Sequence, residues 1–192
     1  YMTCEQLLNW ICTAVSYATV SGDREWLVAR HPILLACLRS LLNRDDPVTS
    51  MRNGINGLDS SRCEGGWEIT TYDSLDPSLG QARNNLYMAT KGWAAYVGLA
   101  QCFDKLGDAS ARGEALAGAE RAASTIVSKL DREIGYIPAV FEDGNRSAII
   151  PAIEGLVFPL MWGMESSLRK TGPYASLITA LDTHLRAVLK PG

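Results

Sequence analysis

The run Leu86-Tyr87-Met88-Ala89-Thr90-Lys91-Gly92-Trp93-Ala94-Ala95-Tyr96-Val97-Gly98-Leu99-Ala100-Gln101-Cys102-Phe103-Asp104-Lys105-Leu106-Gly107-Asp108 sets the architecture. Leu86, Ala89, Trp93, Tyr96, Val97, Ala100 and Phe103 recur at three- and four-residue intervals, the period that gathers side chains on one face of an α-helix. Gly107-Asp108 stops the pattern, and the alanine-rich stretch 109–130 resumes it with Leu116, Ala119, Ala123, Ile126 and Val127 inward. The small residues predict close helix packing. Two helices joined by so short a stop form a helical hairpin, its first arm predicted to begin at about 77 or 81.

Outward from this hairpin the pattern repeats on both sides. Thr3-Cys4-Glu5-Gln6 fits a capping box, and Leu7, Trp10, Ile11, Ala14, Val15 and Ala18 follow at helical spacing up to Ser21-Gly22. A second helix starts near Asp23, with Trp26, Leu27, Ile33, Leu34, Cys37, Leu38, Leu41 and Leu42 on its apolar side, and ends before Asp45-Asp46-Pro47. Pro32 is expected to kink or restart it. Toward the C-terminus the spacing predicts helices over about 152–169 and 174–189, joined by Thr171-Gly172-Pro173.

The fold class is therefore all-α, three hairpins with starts near 3, 78 and 151, a spacing of about 75 residues and longer than the common solenoid repeats. Their tight turns leave two long connections, 43–77 and 131–150, which alternation puts at the opposite end of the helices. Long loops within a compact domain usually carry function. Three hairpins are half of a six-hairpin α/α toroid, and a half-ring exposes apolar helix faces at both cut edges. The remainder of a larger protein, or another chain as in a homodimer, is expected to cover them.

The composition supports a folded chain: 192 residues, 47% hydrophobic, net charge -3 with acids and bases scattered. Nucleic acid and anionic membranes are not expected partners. The five cysteines (Cys4, Cys12, Cys37, Cys63, Cys102) form no CxxC pair, and His31 and His184 are far apart, so neither metal nor cofactor is expected. An odd count of mostly core-like thiols, short apolar runs and no basic leader read as a cytoplasmic chain.

Between the first and second hairpins lies Gly65-Gly66-Trp67-Glu68-Ile69-Thr70-Thr71-Tyr72-Asp73-Ser74-Leu75-Asp76-Pro77, where carboxylates alternate with aromatics. That combination suits a sugar ring stacked on aromatics while carboxyls approach its bonds. Glycoside hydrolysis needs two such groups, one protonated and one ionised. Asp73 is the choice for the acid, since Tyr72 and Trp67 would desolvate it and raise its pKa. The same residues also suit turn and cap chemistry. Glu154, a charge among apolar residues at a helix start, fits either dipole stabilisation or acceptance of sugar hydroxyls. Arg83, with Asn84 and Asn85, would orient carboxylates or ligand, or serve as structural hydrogen-bonding groups. No P-loop follows a strand, and the long loops contain no histidine, which disfavours phosphate binding and triad hydrolysis.

The stretches Gly57-Leu58-Asp59-Ser60-Ser61-Arg62, Glu68 to Asp76, Ser78-Leu79-Gly80-Gln81-Ala82-Arg83-Asn84-Asn85-Leu86-Tyr87 and Ile149-Ile150-Pro151-Ala152-Ile153-Glu154-Gly155-Leu156-Val157-Phe158-Pro159 resemble the glycoside hydrolase family 52 β-xylosidases. The likeness runs the whole chain. It implies a β-sandwich followed by an (α/α)6 barrel and a retaining two-carboxylate mechanism. The implied substrates are xylo-oligosaccharides and aryl xylosides. Thr71-Tyr72-Asp73 is also similar to an element of the family 116 glucosidases and glucosylceramidases, whose aspartate is the general acid/base. By this resemblance Asp73 is the acid/base, and Glu154, Trp67, Tyr72, Thr71 and Arg83 bind substrate.

That family's nucleophile is a glutamate upstream of everything present here, and its β-sandwich and first hairpins have no counterpart in the 192 residues. The chain is thus expected to be the acid/base-bearing part of a larger or split enzyme. Three alternatives stand beside it. One is a non-catalytic helical module that binds sugar or a partner protein, and another is part of a related β-glucosidase. The third is an inverting hydrolase pairing Asp73 with Glu154 or Glu68.

Overall fold

A computed structural model describes residues 4–57, 84–141 and 144–190, and these residues build six α-helices and no strand. α1 (Cys4–Ser21) buries Leu8, Ile11, Cys12, Val15 and Ala18 along one face. Gly22 turns the chain at a φ of 64°, a left-handed conformation that suits glycine. Asp23 then caps α2 (Arg24–Asp45), its carboxylate accepting from the Trp26 N–H at 2.9 Å. α2 runs unbroken through Pro32, contrary to the restart offered as one expectation. Proline removes a single helical donor, and buried Leu27, Leu34 and Leu38 anchor the helix on both sides of it.

α3 (Leu86–Leu106) starts later than the sequence pattern predicts. Asn85 is its cap, accepting from the Met88 N–H at 2.8 Å, so Asn84 and Asn85 precede the helix instead of lying one turn inside it. Gly107 closes α3 with a φ of 76°, and Asp108 caps α4 (Ala109–Ser128) through the Ala111 N–H. The helix predicted over 152–169 is in fact three pieces. A 3₁₀ turn at Pro151–Ile153 leads into α5 (Glu154–Met161), Gly163 breaks it at a φ of 71°, and a second 3₁₀ turn covers Glu165–Leu168. α6 (Ala175–Val188) follows.

α3 is the centre of the packing, in contact with α1, α2, α4 and α5, and every residue from Leu86 to Ala100 is buried. Burial of Trp93, Phe103 and Leu99 contributes about 1.5–3 kcal/mol each. Small residues set the helix spacing. A Cβ added at Gly118 of α4 would lie 2.6 Å from the Tyr96 ring, and one at Gly98 would lie 2.7 Å from the Trp162 ring. Trp162 itself crosses to α1, its indole N–H donating to Ser16 Oγ at 2.9 Å. α1 and α5 flank α3, and α2 and α6 flank α4, which gives two layers of helices.

The first two hairpins have their ends sorted as the alternation of turns requires. At one end Arg24 donates to the Lys105 carbonyl at 2.9 Å and His31 pairs with Asp108 at 2.9 Å, joining the Gly22 and Gly107 turns. At the other end the two long connections meet: Asn85 bridges Val140, Leu86 N–H donates to Ala139 and Phe141 N–H to Asn84. The Gly172 turn sits elsewhere, at mid-height, since Tyr174 packs edge-on against Trp93 near the middle of α3. α5 is too short to carry its hairpin to the Gly107 end. Large exposed apolar side chains sit on the outer hairpins, Trp10, Tyr17, Val20 and Val28 on the first and Val157, Leu160 and Met161 on α5, and none on α3 or α4. No helix of the described residues is long and apolar enough to cross a membrane.

Candidate active site

Asp73, Trp67, Thr71, Tyr72 and Arg83 lie outside the described residues, as do Asp59, Glu68, Asp76, Glu142 and Asp143. The residues on either side of 58–83 are well anchored. Asp45 at the end of α2 is buried, and its carboxylate collects the Asn53 and Gly54 N–H groups at 2.8 and 2.7 Å. Burial pushes the Asp45 carboxyl above its ordinary range, and those two backbone bonds oppose the shift. Gly54 adopts a φ of 85° and lies directly on the α4 backbone at Arg121 and Ala122, where no side chain fits. Thr125 of α4 donates to the Asn53 carbonyl at 2.7 Å, and Gly57 N–H donates to the Arg44 carbonyl at 3.0 Å. A Cβ on Gly57 would be 3.9 Å from Asn84 Oδ1, so both flanks of 58–83 converge at the long-connection end.

Glu154 is the sequence-predicted site residue that the described structure contains. It opens α5, and its Oε1 accepts from Lys91 Nζ at 3.0 Å. The Lys91 side chain is 3% exposed, whereas that of Glu154 is 41% exposed, so the pair straddles the boundary between core and solvent. Lys91 also donates to the Tyr87 hydroxyl at 2.9 Å, and Tyr87 donates to Glu5 Oε1 at 2.9 Å. The ammonium lies 5.0 Å from the Tyr87 ring centroid and 5.9 Å from that of Phe158. Burial, with the Glu5 and Glu154 carboxylates nearby, drives the Tyr87 phenol far above its ordinary range, so it remains a protonated donor. Four residues from α1, α3 and α5 thus form one chain of charge-assisted bonds: Glu5, Tyr87, Lys91, Glu154.

Sequence reading missed Lys91, Tyr87 and Glu5 as members of this cluster. A signal existed, since Lys91 is the lone charge in an otherwise apolar stretch and stands one helical turn after Tyr87. Close by, burial pushes the Cys12 thiol up to about 12 against the pull of Lys91, which leaves it unreactive at neutral pH. His184 plays a structural part, in that its Nδ1 accepts from the Ile137 N–H at 3.1 Å and its Nε2 donates to the Ile149 carbonyl at 2.8 Å. It holds both ends of the second long connection against α6. Among the described residues no group of His, Cys, Asp or Glu is arranged to hold a metal ion.

Chemically, a half-exposed carboxylate held by a buried ammonium is an acceptor of hydroxyl hydrogen bonds. No family model matches the chain. Two β-xylosidases of Geobacillus stearothermophilus do resemble it. One is 50% identical over 192 residues, which is the whole of this chain and 27% of that protein. The other is 40% identical over 130 residues, 68% of this chain and 21% of that protein. The chain spans about a quarter of the length of the relatives it matches, and over its whole length it is homologous to a β-xylosidase.

Proposed function

We propose that this chain is the general acid/base-bearing part of a retaining β-xylosidase of the family 52 type, supplying a segment of an (α/α)6 catalytic barrel. The observation that carries the reading is 50% identity to a β-xylosidase along all 192 residues. The two-layered helical hairpins and the meeting of both long connections at one end support it. Asp73 protonates the glycosidic oxygen, and then deprotonates the water that frees xylose from the covalent intermediate. Glu154, Trp67, Tyr72, Thr71 and Arg83 line the sugar site, and the glutamate nucleophile belongs to the rest of the enzyme. The protein acts on xylo-oligosaccharides or aryl xylosides, in the cytoplasm.

The test is hydrolysis of 4-nitrophenyl β-xyloside and β-glucoside by the complete enzyme, with the product anomer followed by NMR. Preference for the xyloside with β-xylose as first product is expected. First appearance of α-xylose would exclude the retaining mechanism. Preference for the glucoside would favour the related β-glucosidases.

A further inference from the structure

A lysine head at 3% exposure in the apolar core is uncommon, because ordering the side chain and stripping its water both cost free energy. Helix formation does not ask for it. An apolar side chain of similar size at position 91 would fill the same space without a buried charge to satisfy. What the ammonium does is aim. Tyr87 commits its one proton to Glu5, so its oxygen is left to accept from Lys91, and this fixes Nζ from the α1 side. From there Nζ reaches Glu154 Oε1 at 3.0 Å, at the start of α5.

We infer that Lys91 is a positioning residue for Glu154: it clamps one carboxylate oxygen from within the core so that the other is presented outward in a fixed direction to a sugar hydroxyl. The inference rests on the reading of Glu154 as a sugar contact. The bond from Lys91 is made to Oε1, and the Glu154 side chain is 41% exposed, which leaves the carboxylate open to solvent on its outer side. A glutamate free to rotate at the surface would lose the alignment on which its hydrogen bond to the bound sugar depends. Glu5 and Tyr87 are the rear support of the clamp, and they carry the position of α1 to a site on α5.

A double-mutant cycle in the complete enzyme tests this, with kcat and KM measured on 4-nitrophenyl β-xyloside and on xylobiose. Glu154→Gln and Lys91→Met are each expected to lower kcat/KM by about 10- to 100-fold, mainly through KM and by the same factor on both substrates. The double variant should be no worse than Glu154→Gln alone, because the two act through one contact. Tyr87→Phe is nearly isosteric, and should show a smaller loss of the same kind that also vanishes in the Glu154→Gln background. That variant decides the matter if Lys91→Met fails to fold. Unchanged kinetics in Lys91→Met, or losses that multiply with those of Glu154→Gln, would overturn the positioning role alone. Unchanged kinetics in Glu154→Gln would overturn the sugar contact, and the inference with it.

Discussion

His184 has no solvent exposure and joins two backbone groups, Ile137 N–H and the Ile149 carbonyl, that have no other partner among the described residues. Removing the imidazole leaves both unsatisfied, so His184→Ala should cost about 2–4 kcal/mol, read from chemical denaturation. Burial also lowers the His184 pKa from its ordinary 6.5, the bond from Nε2–H to the Ile149 carbonyl opposing it. The unfolded chain then takes up a proton that the folded chain resists. Stability from neutral His184 is complete above about pH 6.5 and is lost as pH falls through the folded value. The thermal midpoint should therefore drop on going from pH 7 to pH 5, and His184→Ala should flatten that slope. At this scale the sequence was least informative. Lys91 and His184 read as ordinary members of their helices, since Glu154 lies 63 residues from Lys91 in the chain and Ile137 lies 47 from His184.

Between elements, contact distance is controlled by glycines. A Cβ at Gly155 would meet the Thr90 carbonyl carbon and oxygen at 2.6 Å, and a backbone cannot move aside as a flexible side chain does. Gly155→Ala is thus expected to push α5 from α3, costing about 1–3 kcal/mol by overpacking and displacing the neighbouring Glu154. Gly113 of α4 has open space around its Cβ position, and Gly113→Ala should be neutral or stabilising by up to about 1 kcal/mol. Thermal unfolding of the two variants checks both signs. The long helices α1 to α4 and α6 were legible because their apolar periods are sustained. The start of α3 and the break in α5 were not. Asn84-Asn85 fits a helical first turn as well as it fits a loop, and the Asn85 cap and its pairing with Val140 distinguish them. Gly163 ends α5 by adopting a left-handed conformation that its neighbours do not foretell.

At the scale of the whole molecule, the apolar surface of α5 at Val157, Leu160 and Met161 and that of α1 at Trp10, Tyr17 and Val20 fit a barrel wall continued by further hairpins. Leu160→Glu should then raise the solubility of this chain expressed alone and lower the thermal midpoint of the complete enzyme. An unchanged midpoint would mean that nothing covers this face. The convergence of the long connections was legible from turn lengths alone, because alternation of short and long links leaves no other arrangement. The acid/base role proposed for Asp73 rests on the resemblance and on its aromatic neighbours in sequence. It is tested most directly by Asp73→Ala in the complete enzyme, with kcat/KM measured across xylosides of graded leaving-group ability, with and without azide. Losses of about 10²–10⁴-fold are expected on poor leaving groups, with much smaller ones on activated aryl xylosides and azide rescue of the latter. Equal losses on every leaving group, with no rescue, would contradict that role.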